Sequence, residues 1–387
     1  MPSDGYESPK STHAPTDGHI ERAVYRSIPC EHRGKVPGPE VSHVQPNVLL
    51  PLLSSVLSFV FALFLLDQWL ERRRSYQLIW TIGMLWYGLS AGTEFLGGAF
   101  GWSESLYRAW YLIGAVYVAA WLGLGTMYLL GRTRFGYGAA FSVLLAGLFT
   151  VLSQAKAQYT DTGILPYAAF AIAAVGAMLI TIETYRGTGR WAWIAGALII
   201  GGSVIAIPIV STAIIPAPGF ALDANGIPVG TAMPGSVRLL TPLFNVTGGF
   251  ALALGALYST YMYMPKKRVM RYDLGRSQGV ARFLGNLVIA PVAITVNLLA
   301  SIPGTFTALV TGRLHSRVPA TILLAIGGFI PSLTSGLSRF GVTQTFFLGE
   351  FLGVVFLFSG FLVSVEVFRE FRVPFTRRVL RVRQEAV

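Results

Sequence analysis

Four polar side chains interrupt the apolar stretches of this sequence, and their types are those that bind protons, cations or small charged ligands. Glu94, Asn245 and Glu350 lie within long apolar segments, and Arg108 begins another. Ionisable groups are costly inside a bilayer unless they face a partner, a cavity or a ligand. The four residues therefore predict a polar pocket in which the two glutamates bind a cation, a proton or an amine and Arg108 balances their charge.

The same residues also have a purely structural interpretation. Glu94 and Arg108 flank the short connector 101–105, so they can pair with each other. Glu350 can remain protonated or bond to a neighbouring helix, because a neutral carboxylic acid is ordinary at membrane depth. Both interpretations remain open from the sequence.

Aromatic residues are concentrated between positions 78 and 130, and most of them fall near predicted segment ends, where Trp and Tyr normally anchor a helix at the membrane interface. Tyr87, Tyr117 and Trp121 lie deeper. They predict either ordinary packing or the lining of a site for a flat apolar ligand such as a quinone or carotenoid.

Several kinds of chemistry are excluded by residue type. The predicted membrane segments contain no His and no Lys, which excludes paired haem ligands and a retinal Schiff base. Gly88–Gly92 matches the sequence pattern of a nucleophile elbow. It does not match the structural context of that motif, because it lies within a helical segment without a histidine base. The histidines near Cys30 fit no zinc spacing. We expect a protein that is not an enzyme, with no cofactor and no metal site.

Composition predicts an integral membrane protein. Hydrophobic residues make up 53% of the chain and charged residues only 12%, far below the roughly one-quarter charge of soluble domains. Apolar segments of the ~20 residues that a spanning helix needs occur at 48–67, 78–99, 108–130, 137–153, 164–184, 191–214 and 239–264. Residues 47–264 therefore predict a seven-helix bundle, preceded by a disordered tail at 1–46.

Basic residues occupy every second connection, including Arg72–Arg74, Arg132, Arg186 and the loop 265–283. By the positive-inside rule these connections are cytoplasmic and the N-terminal tail is outside. We expect the net charge of +12 to reflect this topology and contacts with anionic lipid head groups. Nucleic acid is not an expected partner.

The C-terminal membrane region, 284–368, is harder to assign. Its first part, Leu284–Gly312, is interrupted by Pro291 and Pro303. If it is re-entrant or interfacial, two further spans leave the basic tail 369–387 cytoplasmic, as the charge rule requires. The predicted fold is therefore an all-α polytopic transmembrane helix bundle with about nine spans plus one re-entrant or interfacial segment; a tenth span or a hairpin is the alternative.

Small residues spaced four apart predict close helix packing. The pairs are Gly88/Gly92, Ala119/Gly123, Ala197/Gly201 and Gly349/Gly353. An oligomer interface would use the same pattern, so self-association stays open.

About a quarter of the chain resembles a group of uncharacterised bacterial polytopic membrane proteins. The similar residues are Gly101-Trp102, Leu106-Tyr107-Arg108, Trp110-Tyr111-Leu112, Gly114-Ala115, Gly123–Leu130 and Phe347–Phe361. The resemblance implies the bacterial cytoplasmic (inner) membrane and no particular activity. The expected function is a non-catalytic, ligand-binding sensor or a subunit of a larger membrane complex, with membrane proteins or a small ligand as partners. The alternative is a secondary transporter that uses the intramembrane glutamates for a cation or proton.

Overall fold

A computed structural model describes residues 46–274, 279–338, 343, 345–364, 370–372, 375 and 379–382. The tail predicted to be disordered, 1–46, lies outside the described residues except for Pro46. Most of the predicted basic tail, 369–387, and part of the basic loop 265–283 also lie outside them.

The described chain is almost entirely helical. The helices are α1 (Pro46–Arg72), α2 (Ser75–Phe100), α3 (Glu104–Trp110), α4 (Val118–Leu129), α5 (Gly136–Ala157), α6 (Leu165–Arg186), α7 (Trp191–Ser211), α8 (Gly235–Arg238), α9 (Leu240–Tyr263), α10 (Val280–Val310), α11 (Arg317–Ser338) and α12 (Phe346–Val363). A π-helical turn, Tyr111–Tyr117, joins α3 to α4. Strands β1 (Glu370–Arg372) and β2 (Val379–Val382) form a short antiparallel ribbon.

Nine helical segments of the described chain are long and apolar enough to cross a membrane, which confirms the predicted all-α polytopic bundle. They are Pro46–Arg72, Glu104–Leu129, Gly136–Ala157, Leu165–Arg186, Trp191–Ser211, Gly235–Tyr263, Ala281–Val310, Arg317–Ser335 and Phe346–Val363. This set includes α10 and lacks α2, whose Ser, Thr, Gly and Glu residues lower its apolarity. Nevertheless α2 lies within the bundle, packed along α1 and α4.

The helices connect two ends of the bundle. At one end, which we call the basic face, the turn 130–135, the turn 187–190 and the segment 265–274 come together; Arg134 lies 3.9 Å from Asp273 there. The opposite end, which we call the loop face, carries the long segment 212–234. Asn225 of that segment bonds to Asn47 in the first turn of α1 and to Thr343 before α12.

Close backbone approach occurs where the small-residue pairs predicted it, with one exception. A Cβ added at Gly123 of α4 would lie 2.3 Å from the carbonyl oxygen of Gly248 in α9. Gly88 packs against Phe59 of α1, and Gly353 against Pro331 of α11. Gly201, by contrast, has nothing within 4 Å of an added Cβ, so the Ala197/Gly201 pair makes no such contact.

Helix α10 runs along the basic face instead of packing into the bundle. Near its start, the Phe283 ring contacts the rings of Tyr137 and Tyr185, at 5.5 Å and 4.8 Å between centroids. In its middle, Asn297 Oδ1 accepts hydrogen bonds from the backbone N–H groups of Val269 and Met270.

The far end of α10 returns to the same face. Leu314, just beyond it, packs with Tyr261, Met264 and Val318, residues at the basic-face ends of α9 and α11. The helix is continuous through Pro291 and Pro303, so this segment has no break of the kind that a re-entrant loop needs. Its contacts at both ends are those of the interfacial arrangement, although its length and apolarity would also suffice for a span.

Candidate functional site

The structure brings Glu94 and Glu350 together, although they are distant in the sequence. Glu94 lies on α2, about 9 Å from its loop-face end at ~1.5 Å per residue, and Glu350 lies one turn into α12. Their carboxyl groups lie close enough to influence each other electrostatically. Glu94 is 1% exposed, which makes it one of the largest fully buried side chains in the described chain. We call these two residues the carboxyl pair.

One oxygen of Glu94 is held by Trp110. The indole Nε1 donates a hydrogen bond of 2.8 Å to Glu94 Oε1. Trp110 is the last residue of α3, and the π-helical turn begins directly after it. A π-helical turn changes the direction of successive side chains, and such turns are frequent at functional sites. Here Trp110 faces α2, whereas Tyr111, the next residue, bonds to Thr241 near the start of α9.

Glu350 is positioned through its backbone and its neighbours. The Tyr87 hydroxyl donates a 2.8 Å hydrogen bond to the backbone carbonyl of Glu350, which connects α2 to α12. The preceding Gly349 packs so closely on Thr334 of α11 that an added Cβ would lie 2.2 Å from its Oγ1. The carboxyl pair therefore lies where α2, α11 and α12 meet.

The carboxyl pair has unsatisfied hydrogen-bonding capacity. Oε2 of Glu94 and Oε2 of Glu350 are buried, and neither has a hydrogen-bond partner among the described residues. The ion pairs found in that part of the chain, Arg108–Glu104, Arg134–Asp273 and Arg186–Glu183, do not include either glutamate. Two adjacent buried carboxyl groups cannot both be ionised without a compensating charge. The pair therefore has to hold at least one proton or a cation.

Arg108 does not take the predicted role of balancing this charge, and the alternative Glu94–Arg108 pair is also wrong. Its guanidinium is 2.6 Å from Glu104 Oε1, one helical turn earlier. It also donates to the backbone carbonyls of Val210 and Ala213 at the end of α7, at 2.7 Å and 2.6 Å. Glu104 and these two carbonyl groups therefore satisfy the Arg108 guanidinium. They lie closer to the loop face than Glu94 does.

Asn245 has a free acceptor but belongs to a different part of the bundle. Its Oδ1 is buried and has no hydrogen-bond partner among the described residues. Asn245 lies on α9, which packs chiefly on α4, α5 and α11. Its membership of the predicted pocket therefore remains a prediction.

The three deep aromatic residues do not line one site. Tyr87 adjoins the carboxyl pair, as described above. Tyr117 donates to the backbone carbonyl of Ser203 in α7 and its ring lies 5.1 Å from that of Trp86. Trp121 packs against the same large cluster as Tyr117, whereas Tyr87 belongs to a separate cluster with residues of α1 and α12.

The segment 212–234 covers the site from the loop face. Phe220 and Met233 pack in a cluster with Tyr107 and Trp110. The Tyr107 hydroxyl donates to the backbone carbonyl of Val229 at 2.5 Å. Trp110, which holds Glu94, is thus enclosed by this segment.

The sequence indicates both glutamates but not Trp110, which falls near a predicted segment end, where Trp normally anchors a helix at the membrane interface. The residue types around Trp110 do not indicate this hydrogen bond, because the direction of the Trp110 side chain depends on the π-helical turn. In the part of the chain that the structure describes, no group of three or more His, Cys, Asp or Glu side chains is arranged to hold a metal ion.

Comparison of the chain with protein-family models, with curated proteins and with solved structures finds no match. The function has to be argued from the site itself.

Proposed function

We propose that this chain is a non-catalytic membrane protein whose carboxyl pair binds a proton or a small cation, and that it acts as a ligand-binding sensor or as a subunit of a membrane complex. The observation that supports the proposal is the meeting of Glu94 and Glu350 in the bundle interior, where neither forms an ion pair with a cationic side chain of the described residues. Intramembrane carboxyl groups without a counter-ion are characteristic of proton and cation sites.

The chemistry is an exchange of one positive charge for another. With a proton shared between the carboxyl groups, the pair carries one negative charge at most. A small cation that enters can displace that proton and use the oxygens that have no partner, Oε2 of each glutamate, as hard ligands. Trp110 keeps Glu94 oriented throughout, because its N–H bonds to the other oxygen.

The proposed orientation follows the charge distribution. The positive-inside rule assigns the basic face to the cytoplasm and the loop face to the outside of a bacterial inner membrane. The carboxyl pair is then in the outer half of the bilayer, beneath the segment 212–234. An external proton or cation would reach it past this segment.

A secondary transporter is the second candidate. It is favoured by the position of the pair on two helices that are distant in the sequence and are joined by the Tyr87–Glu350 hydrogen bond, since relative movement of α2 and α12 would separate the two carboxyl groups. Transporters commonly bind their coupling ion near mid-membrane between two such parts.

The test of binding is proton release when a cation is added to purified protein in weakly buffered detergent solution. We expect Na⁺, K⁺ or methylammonium to release protons from the wild type. Glu94→Gln and Glu350→Gln should abolish the release, and Glu104→Gln should retain it, because Glu104 is an exposed glutamate at the same end of the bundle. Equal release by all four proteins would exclude the carboxyl pair as the site.

Flux distinguishes the two candidates. In vesicles containing the purified protein, a sensor or subunit binds the cation but does not dissipate a pH gradient when the cation is added. A transporter dissipates it, and Glu350→Gln prevents this.

A further inference from the structure

A second site lies at the basic face, away from the carboxyl pair. A cavity of about 300 Å³ opens between the turn 130–135 and the turn 187–190. Its lining includes Arg132, Arg134, Arg186, Gly189, Tyr137 and Trp191. This volume is at the lower end of the range for small-molecule sites, and it accommodates a phosphate group with a small substituent.

The charge of the lining favours an anion. Three of its side chains are arginines, and Arg132 has no ion pair or hydrogen bond with any described residue. Arg134 lies 3.9 Å from Asp273, and Arg186 lies 3.0 Å from Glu183. Both of these pairs are at the surface, where an ion pair contributes only about 0–1 kcal/mol. A phosphate can therefore replace these carboxylates as the partner of the guanidinium groups.

The main chain adds donors to the same cavity. The backbone N–H groups of Arg134 and Gly189 have no intramolecular acceptor among the described residues. Gly189 has a φ of 72°, a left-handed conformation that glycine adopts without strain. Each of the two turns thus offers one main-chain N–H group. Arg132 and Arg134 lie in the first turn and Arg186 directly precedes the second, a combination of donors typical of phosphate sites.

The cavity walls are rigid where they meet the bundle. Trp191 is 1% exposed and packs on Phe135, with 6.3 Å between ring centroids. Tyr137 holds Phe283 at the start of α10. The cavity thus lies beside the start of α10, at the basic face of the bundle.

We propose that this cavity is a binding site for a phosphate-bearing anion, with Arg132 and Arg134 as its principal ligands. The phosphate is carried by an anionic lipid head group or by a soluble compound. Both sources present the same negatively charged, non-bridging phosphate oxygens to the guanidinium groups.

The test uses the full chain, stripped of lipid in detergent, and native mass spectrometry with two probes, phosphatidylglycerol and inorganic phosphate. We expect the double variant Arg132→Gln/Arg134→Gln to bind the preferred probe about tenfold or more weakly, since a charge-assisted hydrogen bond contributes 1.5–3 kcal/mol and ~1.4 kcal/mol is tenfold in affinity. The matched control is Arg72→Gln/Arg74→Gln, which removes the same charge from exposed positions of the basic face.

The outcomes separate the sources and can overturn the proposal. Binding of phosphatidylglycerol in preference to phosphatidylcholine, weakened in the cavity variant and not in the control, supports a lipid head group. Binding of inorganic phosphate that is weakened in the cavity variant and not in the control, together with no preference between the two lipids, supports a soluble compound. Equal weakening in both double variants, or no binding of either probe by the wild type, overturns the proposal. Arg132→Lys keeps the positive charge but removes the planar guanidinium group, and it should weaken binding less than the double variant. The melting temperature of this variant checks that the fold is intact.

Discussion

At the scale of single residues, the two oxygens of the Glu94 carboxyl group differ: Oε1 accepts from Trp110, and Oε2 accepts from no N–H or O–H group of the described residues. The first oxygen is therefore a structural contact, and the second can share a proton with Glu350 or bind a ligand. Substitutions at Trp110 and at Glu94 should accordingly affect different properties.

Trp110→Phe should lower the free energy of unfolding by about 1–3 kcal/mol, because Oε1 would remain buried without its donor. Trp121→Phe is the matched control, since the Trp121 indole N–H is buried and has no hydrogen-bond partner to lose in the described chain. Unfolding in mild detergent, followed by tryptophan fluorescence, measures both. Equal destabilisation by the two substitutions would show that ring volume, and not the hydrogen bond to Glu94, decides the cost.

The sequence was sufficient to select Glu94 and Glu350, because a carboxyl group in an apolar segment is conspicuous. It was not sufficient to assign their partners. Arg108 is the nearest guanidinium in a predicted membrane segment, yet Glu104 one turn earlier and the carbonyls of Val210 and Ala213, at and just after the end of α7, satisfy it. The role of the α7 carbonyls depends on which helices are neighbours, and residue periodicity does not contain that information.

At the scale of secondary-structure elements, the contact between α4 and α9 depends on two glycines. An added Cβ at Gly248 would lie 2.0 Å from the carbonyl oxygen of Ala119, which leaves no room for a methyl group unless the helices separate. The predicted small-residue pair at Ala119/Gly123 thus identified a real approach, without identifying the partner helix.

We expect Gly248→Ala to destabilise the protein by about 1–3 kcal/mol through overpacking. Gly201→Ala, on α7, is the control because an added Cβ there meets nothing within 4 Å, and it should be neutral or slightly stabilising as a helix-propensity change. Thermal unfolding of the two variants in the same detergent compares them. A neutral Gly248→Ala would contradict the α4–α9 contact.

The short α5–α6 connection is attached to the start of α8 by Asp161. The backbone N–H of Ser236 donates to Asp161 Oδ2 at 2.9 Å, and this bond lowers the pKa of the Asp161 carboxyl below its usual value. A group with a lowered pKa in the folded state contributes stability above its unfolded pKa and loses it as the pH falls through the folded pKa. Asp161→Asn should therefore lower the melting temperature at neutral pH, and the difference from the wild type should disappear under acidic conditions. A difference independent of pH would contradict this assignment.

The path of α10 gives a sharper test at this scale. In a Cys30→Ser background, we expect Arg282→Cys and Arg313→Cys, at the two ends of α10, to react with a membrane-impermeant maleimide from the same side as Arg186→Cys. Ala224→Cys, in the exposed segment 212–234 at the loop face, should react from the other side. Reaction of Arg282→Cys and Arg313→Cys from opposite sides would show that α10 spans the membrane.

At the scale of the whole molecule, hydropathy and length predicted the helix bundle, because a spanning helix has to be apolar over its own length. Hydropathy and length are least informative for a helix whose surface is buried by other parts of the protein instead of by lipid. Helix α2 contains the buried polar residues Ser90, Thr93 and Glu94. It is therefore too polar to be counted among the nine apolar segments, although it packs within the bundle. Helix α10 meets the criterion, yet its contacts follow the basic face.

The proximity of α2 to α12 is the feature that sequence could not supply. The two helices lie near opposite ends of the chain, and Tyr87 bonds directly to the backbone of Glu350. Helix order within a bundle is set by side-chain packing between segments, for which a single sequence has no periodic signal. The sequence predicts one pocket for both glutamates, but it does not identify the contact between α2 and α12 that brings them together.

The most direct test of the carboxyl pair is the infrared absorption of protonated carboxyl groups in the purified protein at neutral pH. We predict a protonated-carboxyl band in the wild type that decreases when a binding cation is added. The band should be altered by Glu94→Gln and by Glu350→Gln, absent in the double variant and unchanged in Glu104→Gln. A wild type without such a band, or a double variant that keeps it, would contradict a proton shared between Glu94 and Glu350.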